Sequence, residues 1–243
     1  MHEFLQLWFR ILINLSIEQL KRIIRKDTIL VSVMHVNNEM GAISPIREMA
    51  QIIHEKSRAI FHVDAVQSFG KIPITFDGEN GPDILTVSGH KIHGIKGSGI
   101  IAFRKQINVH PFLVGGGQEY GLRSGTVAVP LAVSFAKAAR LAVEKMQVMQ
   151  AQYKKWNNEL RSYLAQYGDE ILIISPEDAA DHILSFSVKG LKGEILINAL
   201  QKEDIIVSTS SACSSKQTKD SHVVEAMKIA PPYKKGVIRI SFG

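Results

Sequence analysis

The chain has 243 residues, of which 45% are hydrophobic and 21% charged, so it can bury a substantial core as one large α/β unit or as a large unit with a smaller one. Its net charge of +6 is scattered, with no dense basic block and no interleaved aromatics, which argues against a surface that tracks nucleic acid. A single cysteine, Cys213, excludes an internal disulfide and any multi-cysteine metal site, and fits a reducing, cytoplasmic setting.

In chain order, the apolar run from Phe4 to Ile13 is interrupted by Arg10 and is too short to span a bilayer. It lacks a basic lead-in and a small-residue cleavage pattern, so neither a signal peptide nor a membrane anchor is expected. Ser16 followed by Gln19 spells the capping box of a helix reaching about Lys26, and residues 28–36 form a β-branched strand. Ser44-Pro45 offers an N-cap and a first-turn proline to a helix over Ile46–Lys56, after which residues 59–63 return to strand. Residues 83–87 and 99–103 read as two more short strands around a glycine-rich loop. This alternation predicts a mostly parallel sheet whose strands end near Asn37-Asn38, Asp64 and Ser88, the rim where ligands gather in α/β folds. Residues 129–167 lose their turn formers and predict one long connecting helix. Strands at 171–174, 182–188, 205–208 and 237–241, with helices at 193–202 and 221–228, complete a small α+β unit. The expected organisation is therefore 1–128, 129–167 and 168–243.

Lys91 stands out because Ser88-Gly89-His90-Lys91 breaks an apolar run into a glycine-rich loop. A lysine at a strand end sits in a pocket wall, and partial burial lowers the pKa of its amine enough to form a Schiff base with an aldehyde cofactor. The alternative is a solvated loop lysine. Asp64 ends an apolar strand, where a carboxylate is costly without a cationic partner. In a pyridoxal phosphate enzyme such an aspartate keeps the pyridine nitrogen protonated. Asp64 is equally a helix N-cap, with Gln67 either its capping-box partner or a donor to the cofactor's phenolic oxygen. Cys213 lies in a run of small residues, Ser208 to Ser215, and reads as a reachable thiol. Arg239 by itself reads as a surface arginine on a strand. His35 and His62, each beside a strand, read as structural side chains, and His54, His93, His110, His182 and His222 show no metal spacing, so no metal is expected.

His35-Val36-Asn37-Asn38-Glu39-Met40-Gly41, His62-Val63-Asp64-Ala65-Val66-Gln67-Ser68, Ser88-Gly89-His90-Lys91 and Arg123-Ser124-Gly125-Thr126 resemble, in order, successive motifs of the cysteine desulfurases of the class V aminotransferase group. The resemblance runs from about Leu15 to the C-terminus. It implies a three-layer, mostly parallel sheet of the PLP-transferase type, incomplete here, in residues 1–128, with the cysteine loop in the small α+β domain. It further implies that Lys91 carries pyridoxal 5'-phosphate, that Asp64 faces the pyridine nitrogen, and that Asn38 and Gln67 bond the ring oxygen. The resemblance also implies that Ser88 and His90 bind the phosphate, that Thr126 reaches the phosphate of a neighbouring subunit in a homodimer with shared sites, and that Asn38 and Arg239 bind the substrate. Cys213 matches the sulfur-accepting cysteine: L-cysteine becomes L-alanine and the sulfur passes, as a persulfide, to an acceptor protein serving iron–sulfur cluster or tRNA thiolation pathways. The family's opening segment and its C-terminal helix have no counterpart here. A desulfurase fragment that is inactive or serves as a scaffold, and another class V aminotransferase or lyase, are the competing expectations.

Overall fold

The computed structural model describes residues 16–76, 80–209 and 222–243. Cys213 lies outside the described residues.

Two four-stranded sheets organise the chain. The first takes β1 (Leu30–Met34), β2 (Ile60–Asp64), β3 (Ile84–Ser88) and β4 (Gly99–Phe103) in sequence order. Strands β1, β2 and β3 are parallel, and the registers Met34↔Asp64 and Asp64↔Thr86 bring their carboxyl ends level. Strand β4 runs antiparallel to β3. The cause is local: the 3₁₀ turn Gly89–Ile92 ends at His93 in the left-handed region (φ 62°), which reverses the chain without the crossover that a parallel neighbour needs.

Alternation along the strands separates the two faces of this sheet. Phe61, Val63, Leu85 and Val87 are buried and pack with Leu20 of α1 (Ile17–Ile23), with Met49 and Ile53 of α2 (Ile46–Lys56), and with Phe135 and Ala138 of α3 (Val129–Ala165). Each such side chain contributes about 1.5–3 kcal/mol on burial. His62, Asp64 and Thr86 fall on the opposite face and stay half-buried. At the margins, Ile29 and Leu30 beside and on β1, and Ile100 and Ile101 on β4, are exposed.

The capping box of α1 forms as the sequence predicts, with Gln19 N donating to Ser16 Oγ (3.1 Å) and Ser16 N donating to Gln19 Oε1 (3.2 Å). The helix stops at Ile23, short of Lys26, because Ile24 is extended and Arg25 N turns to Thr28 Oγ1. Ser44 does not cap α2. Its hydroxyl donates instead to Met34 O (2.8 Å), and Pro45 occupies the cap without a side-chain bond.

The second sheet is antiparallel throughout, in the order β5 (Ile171–Ile173), β6 (Ile183–Val188), β8 (Val237–Ser241), β7 (Ser208–Thr209). The strand expected at 205–208 moves to Ser208–Thr209 because the end of α4 (Gly193–Lys202) winds on, with Asp204 at φ 59° and Ile205 N bonded to Leu200 O. The short helices α5 (His222–Ala226) and α6 (Pro231–Lys234) precede β8, the latter started by prolines in its first turn. Helix α3 touches both sheets, through Phe135 at one end and Leu164 near the other. Among the described residues no helix is long and apolar enough to cross a membrane.

A buried charge cluster pins the start of β3. Asp83 accepts from Phe61 N (2.8 Å), sits 3.0 Å from His54 Nε2 and lies 3.4 Å from Arg104 Nε. Asp83→Ala leaves the Phe61 amide without its acceptor and removes the carboxylate facing His54 and Arg104, and is expected to cost about 2 kcal/mol, read as a lower urea midpoint at unchanged slope.

Candidate active site

The carboxyl ends of β1, β2 and β3 supply the chemistry. Asp64 closes β2, and its Oδ1 accepts from Val66 N (2.9 Å); a turn and not a helix follows, so the bond closes an Asx-type turn and the expected helix N-cap does not form. Its other oxygen has no protein partner among the described residues. His62, two residues earlier on the same face, bridges the strands, its Nδ1 2.7 Å from Ser32 Oγ and its Nε2 3.1 Å from Thr86 Oγ1. Burial pushes the His62 pKa down, against the opposing pull of the Asp64 carboxylate.

Lys91 is the third residue of the 3₁₀ turn that follows β3 directly, one strand over from Asp64. Ser88 and Lys91 are half-buried, whereas His90 is exposed. The second lysine of this region is Lys71. Its amine is pushed down to about 8, first by burial and then by the nearby Lys91 charge. Gly70 allows that approach: it holds φ +70°, and a Cβ there would lie 2.6 Å from the Ala142 Cβ of α3.

The loop after β1 brings the second sheet to the same rim. Asn37 Oδ1 accepts from Glu39 N and Met40 N, Gly41 turns at φ +77°, and Met40 and Ala42 pack with Ile174 and Val237. Ser185 Oγ donates to Glu39 O, and Ala180 N donates to Gly41 O. From β8, Arg239 donates through Nη1 to Asn38 O (2.8 Å), while its buried Nε finds no partner among the described residues. A buried N–H left unmade is costly, so this one marks a place for an acceptor.

Of the residues singled out in the sequence, Asn38 and Arg239 are in direct contact, and Asp64, Ser88 and Lys91 share the ends of adjacent strands. Gln67 lies on the turn after β2, where its backbone bonds His182. Thr126 is exposed in the segment before α3 and makes no hydrogen bond to the others among the described residues. Lys71 and His182 were not legible as site neighbours. The only sequence signal for Lys71 was its place in Ser68-Phe69-Gly70-Lys71, directly after the Asp64 motif.

Two histidines are buried in neutral form. Burial pushes His182 down to about 3, helped by the Lys71 charge, and pushes His35 down to about 4. Their folded pKa values lie below the unfolded value, so the unfolded chain binds protons that the folded chain refuses, and stability falls as pH drops from about 6.5 toward 4. Each histidine contributes up to about 1.4 kcal/mol per pH unit in that window. Urea midpoints measured at pH 7 and pH 5 are expected to fall, and His182→Gln is expected to remove about half of the difference.

The aminotransferase class-V profile matches residues 11–243. The mitochondrial cysteine desulfurase of Saccharomyces cerevisiae is 41% identical over 215 residues, covering 88% of this chain and 42% of that protein. A solved NifS-like protein superposes with a TM-score of 0.84 at 38% identity, covering 93% of this chain and 59% of the other. SspA, solved in complex with cysteine, superposes with a TM-score of 0.73 at 30% identity, covering 93% and 62%. The chain spans about half the length of the curated relatives it matches. The family works with pyridoxal phosphate. With its matching profile, relatives named cysteine desulfurase and a shared fold, the chain belongs to the aminotransferase class-V family.

Proposed function

We propose that this chain carries the catalytic centre of a cysteine desulfurase, converting L-cysteine to L-alanine and passing the sulfur to Cys213. The observation that carries the reading is Arg239: its guanidinium is drawn from β8 onto the Asn38 carbonyl and keeps a buried Nε with no partner among the described residues. A substrate carboxylate supplies the missing acceptor, and a charge-assisted bond to arginine is directional enough to orient an amino acid.

The residues present fit pyridoxal phosphate. Asp64 offers a carboxylate oxygen free of protein bonds at the rim, and Lys91 an amine one strand away. Lys91 would hold the group, Asp64 would meet its ring nitrogen, Asn38 and Gln67 its ring oxygen, and Ser88, His90 and a second subunit's Thr126 its phosphate. When bound, the cofactor supplies an electron sink for the carbanion at the substrate's α-carbon. Lys91, once free, accepts and returns the proton at that carbon. Arg239 holds the carboxylate and fixes which bond is broken. The Cys213 thiolate attacks the substrate sulfur, a new S–S bond forms as the Cβ–S bond breaks, and the protein is left as a persulfide that an acceptor protein discharges. The setting this chemistry calls for is a reducing one such as the cytoplasm, and the shared sites call for a homodimer.

A second reading is a chain that holds the cofactor without turnover. One experiment separates the two. The purified chain is loaded with pyridoxal phosphate, trapped with borohydride and mapped by mass spectrometry, while sulfide and alanine are followed after adding L-cysteine. Trapping on Lys91, lost in Lys91→Ala, is expected, with sulfide release that Cys213→Ser abolishes while trapping persists. Arg239→Ala is expected to raise KM for cysteine at least tenfold. Trapping without sulfide would select the second reading, and sulfide release that survives Cys213→Ser would overturn the persulfide step.

A further inference from the structure

Helix α2 begins without a side-chain cap, and a cavity of about 230 Å³ opens at that end. The first amides of a helix have no partner inside it. Here Pro45 has no N–H and Ile46 N turns back to Ser44 O (2.9 Å), while the amides of Arg47 and Glu48 meet no acceptor among the described residues. Ser44, the residue placed to cap them, gives its hydroxyl to Met34 O instead. Two open amides therefore stand at the positive end of the helix dipole. No residue assigned above to the cofactor or the substrate lines this cavity. It sits at the end of a helix that covers the face of the first sheet opposite to Asp64.

The cavity wall holds a second group without a partner. His35 lines it, is only 7% exposed, and its Nδ1 makes no hydrogen bond among the described residues. Burial holds the ring neutral, so one of its nitrogens carries a proton and is a donor. A buried polar atom left unpaired is costly, which marks this wall as a place for a ligand atom. Asn80 and Thr75 also line the cavity; Asn80 Oδ1 accepts from Gln51 Nε2 (2.8 Å), which leaves its Nδ2 as a donor. Two charged side chains line it, Arg47 and Glu48, both exposed and neither in an ion pair among the described residues. Their charges offset each other, so the sign of the site is set by the helix end and its open amides.

We propose that the open end of α2 binds a small tetrahedral oxyanion, a sulfate or a phosphate group, held by the amides of Arg47 and Glu48 and the Arg47 guanidinium, with His35 and Asn80 as side-chain donors. Backbone amides at a helix start suit such an anion because they point at it along the dipole. The guanidinium adds a charge-assisted fork. The cavity is smaller than the ~300–1,000 Å³ of pockets for drug-sized ligands, so it suits a free ion or a short phosphoester. A bound anion supplies the cap that Ser44 withholds from α2.

Sodium sulfate, sodium phosphate and glycerol 3-phosphate, each titrated into the isotope-labelled intact chain against sodium chloride of equal ionic strength, test the assignment through the NMR shifts of the Arg47 and Glu48 amides and the His35 ring. Sulfate and phosphate are expected to saturate these shifts with a Kd of about 1 mM, and chloride to leave them in place. Glycerol 3-phosphate that binds at least about threefold tighter than phosphate identifies a phosphoester head, and equal binding identifies a free ion; either result supports the site. Arg47→Gln is expected to weaken sulfate at least about fivefold and Glu48→Gln to strengthen it about twofold. Both positions are exposed, so thermal unfolding is expected to move by no more than about 3 °C. Ser88→Ala, on the rim proposed for the cofactor phosphate, is expected to leave sulfate affinity unchanged. The proposal is overturned by shifts that do not saturate, or by a sulfate affinity that ignores Arg47→Gln, falls in Glu48→Gln or falls in Ser88→Ala.

Discussion

The site depends on one insertion. The loop that follows β1, from Asn37 to Ala42, leaves the first sheet and lodges in the second, where Met40 and Ala42 join an apolar cluster with Ile174, Val223 and Val237. Polar contacts close the same junction: Arg239 to Asn38 O, Ser185 to Glu39 O and Ala180 to Gly41 O. The carbonyls of Asn37 and Ala42 are bonded within the loop, and these contacts give those of Asn38, Glu39 and Gly41 their partners. The insertion therefore serves stability and chemistry together, because it brings a guanidinium to the rim where the parallel strands end.

The second constraint is level strand ends. Parallel pairing through Met34, Asp64 and Thr86 places a carboxylate and the Lys91 turn on neighbouring strands. The antiparallel return of β4 then closes the glycine-rich loop behind Lys91 without a crossover helix. The first sheet is sharply divided between its faces: apolar alternates bind the helices, while the opposite face carries the Ser32, His62 and Thr86 bridge. Cross-strand bonds of this kind fix the His62 ring and keep the face near Asp64 polar.

Much of this was legible before any coordinates. Short apolar runs located β2 and β3, the Ser16 capping box located α1, and the loss of turn formers gave α3 within two residues of its observed end. Ser44 misled because a serine before proline and a helical stripe is the usual cap pattern, yet its hydroxyl met a closer acceptor in Met34 O across the strand end. The β7 displacement had a similar origin, since β-branched Ile205 and Ile206 favour strand locally while the α4 terminus winds past them. The placement of Arg239 could not be derived from its strand alone, because its partner is a backbone carbonyl in the distant loop after β1. Lys71 was hidden for the same reason: its surroundings are made by α3, and no local pattern encodes a helix arriving from elsewhere in the chain.

The Arg239 to Asn38 bond joins positions separated by 201 residues. Closing so long a loop has an entropic cost that grows only slowly with length, but the closure must precede any reward from the contact, which slows folding. The first sheet can assemble from neighbouring segments, whereas the insertion waits for β8. A change that loosens β8 is therefore felt first at the Asn38 turn, while the Lys91 turn, built from neighbouring segments, keeps its shape.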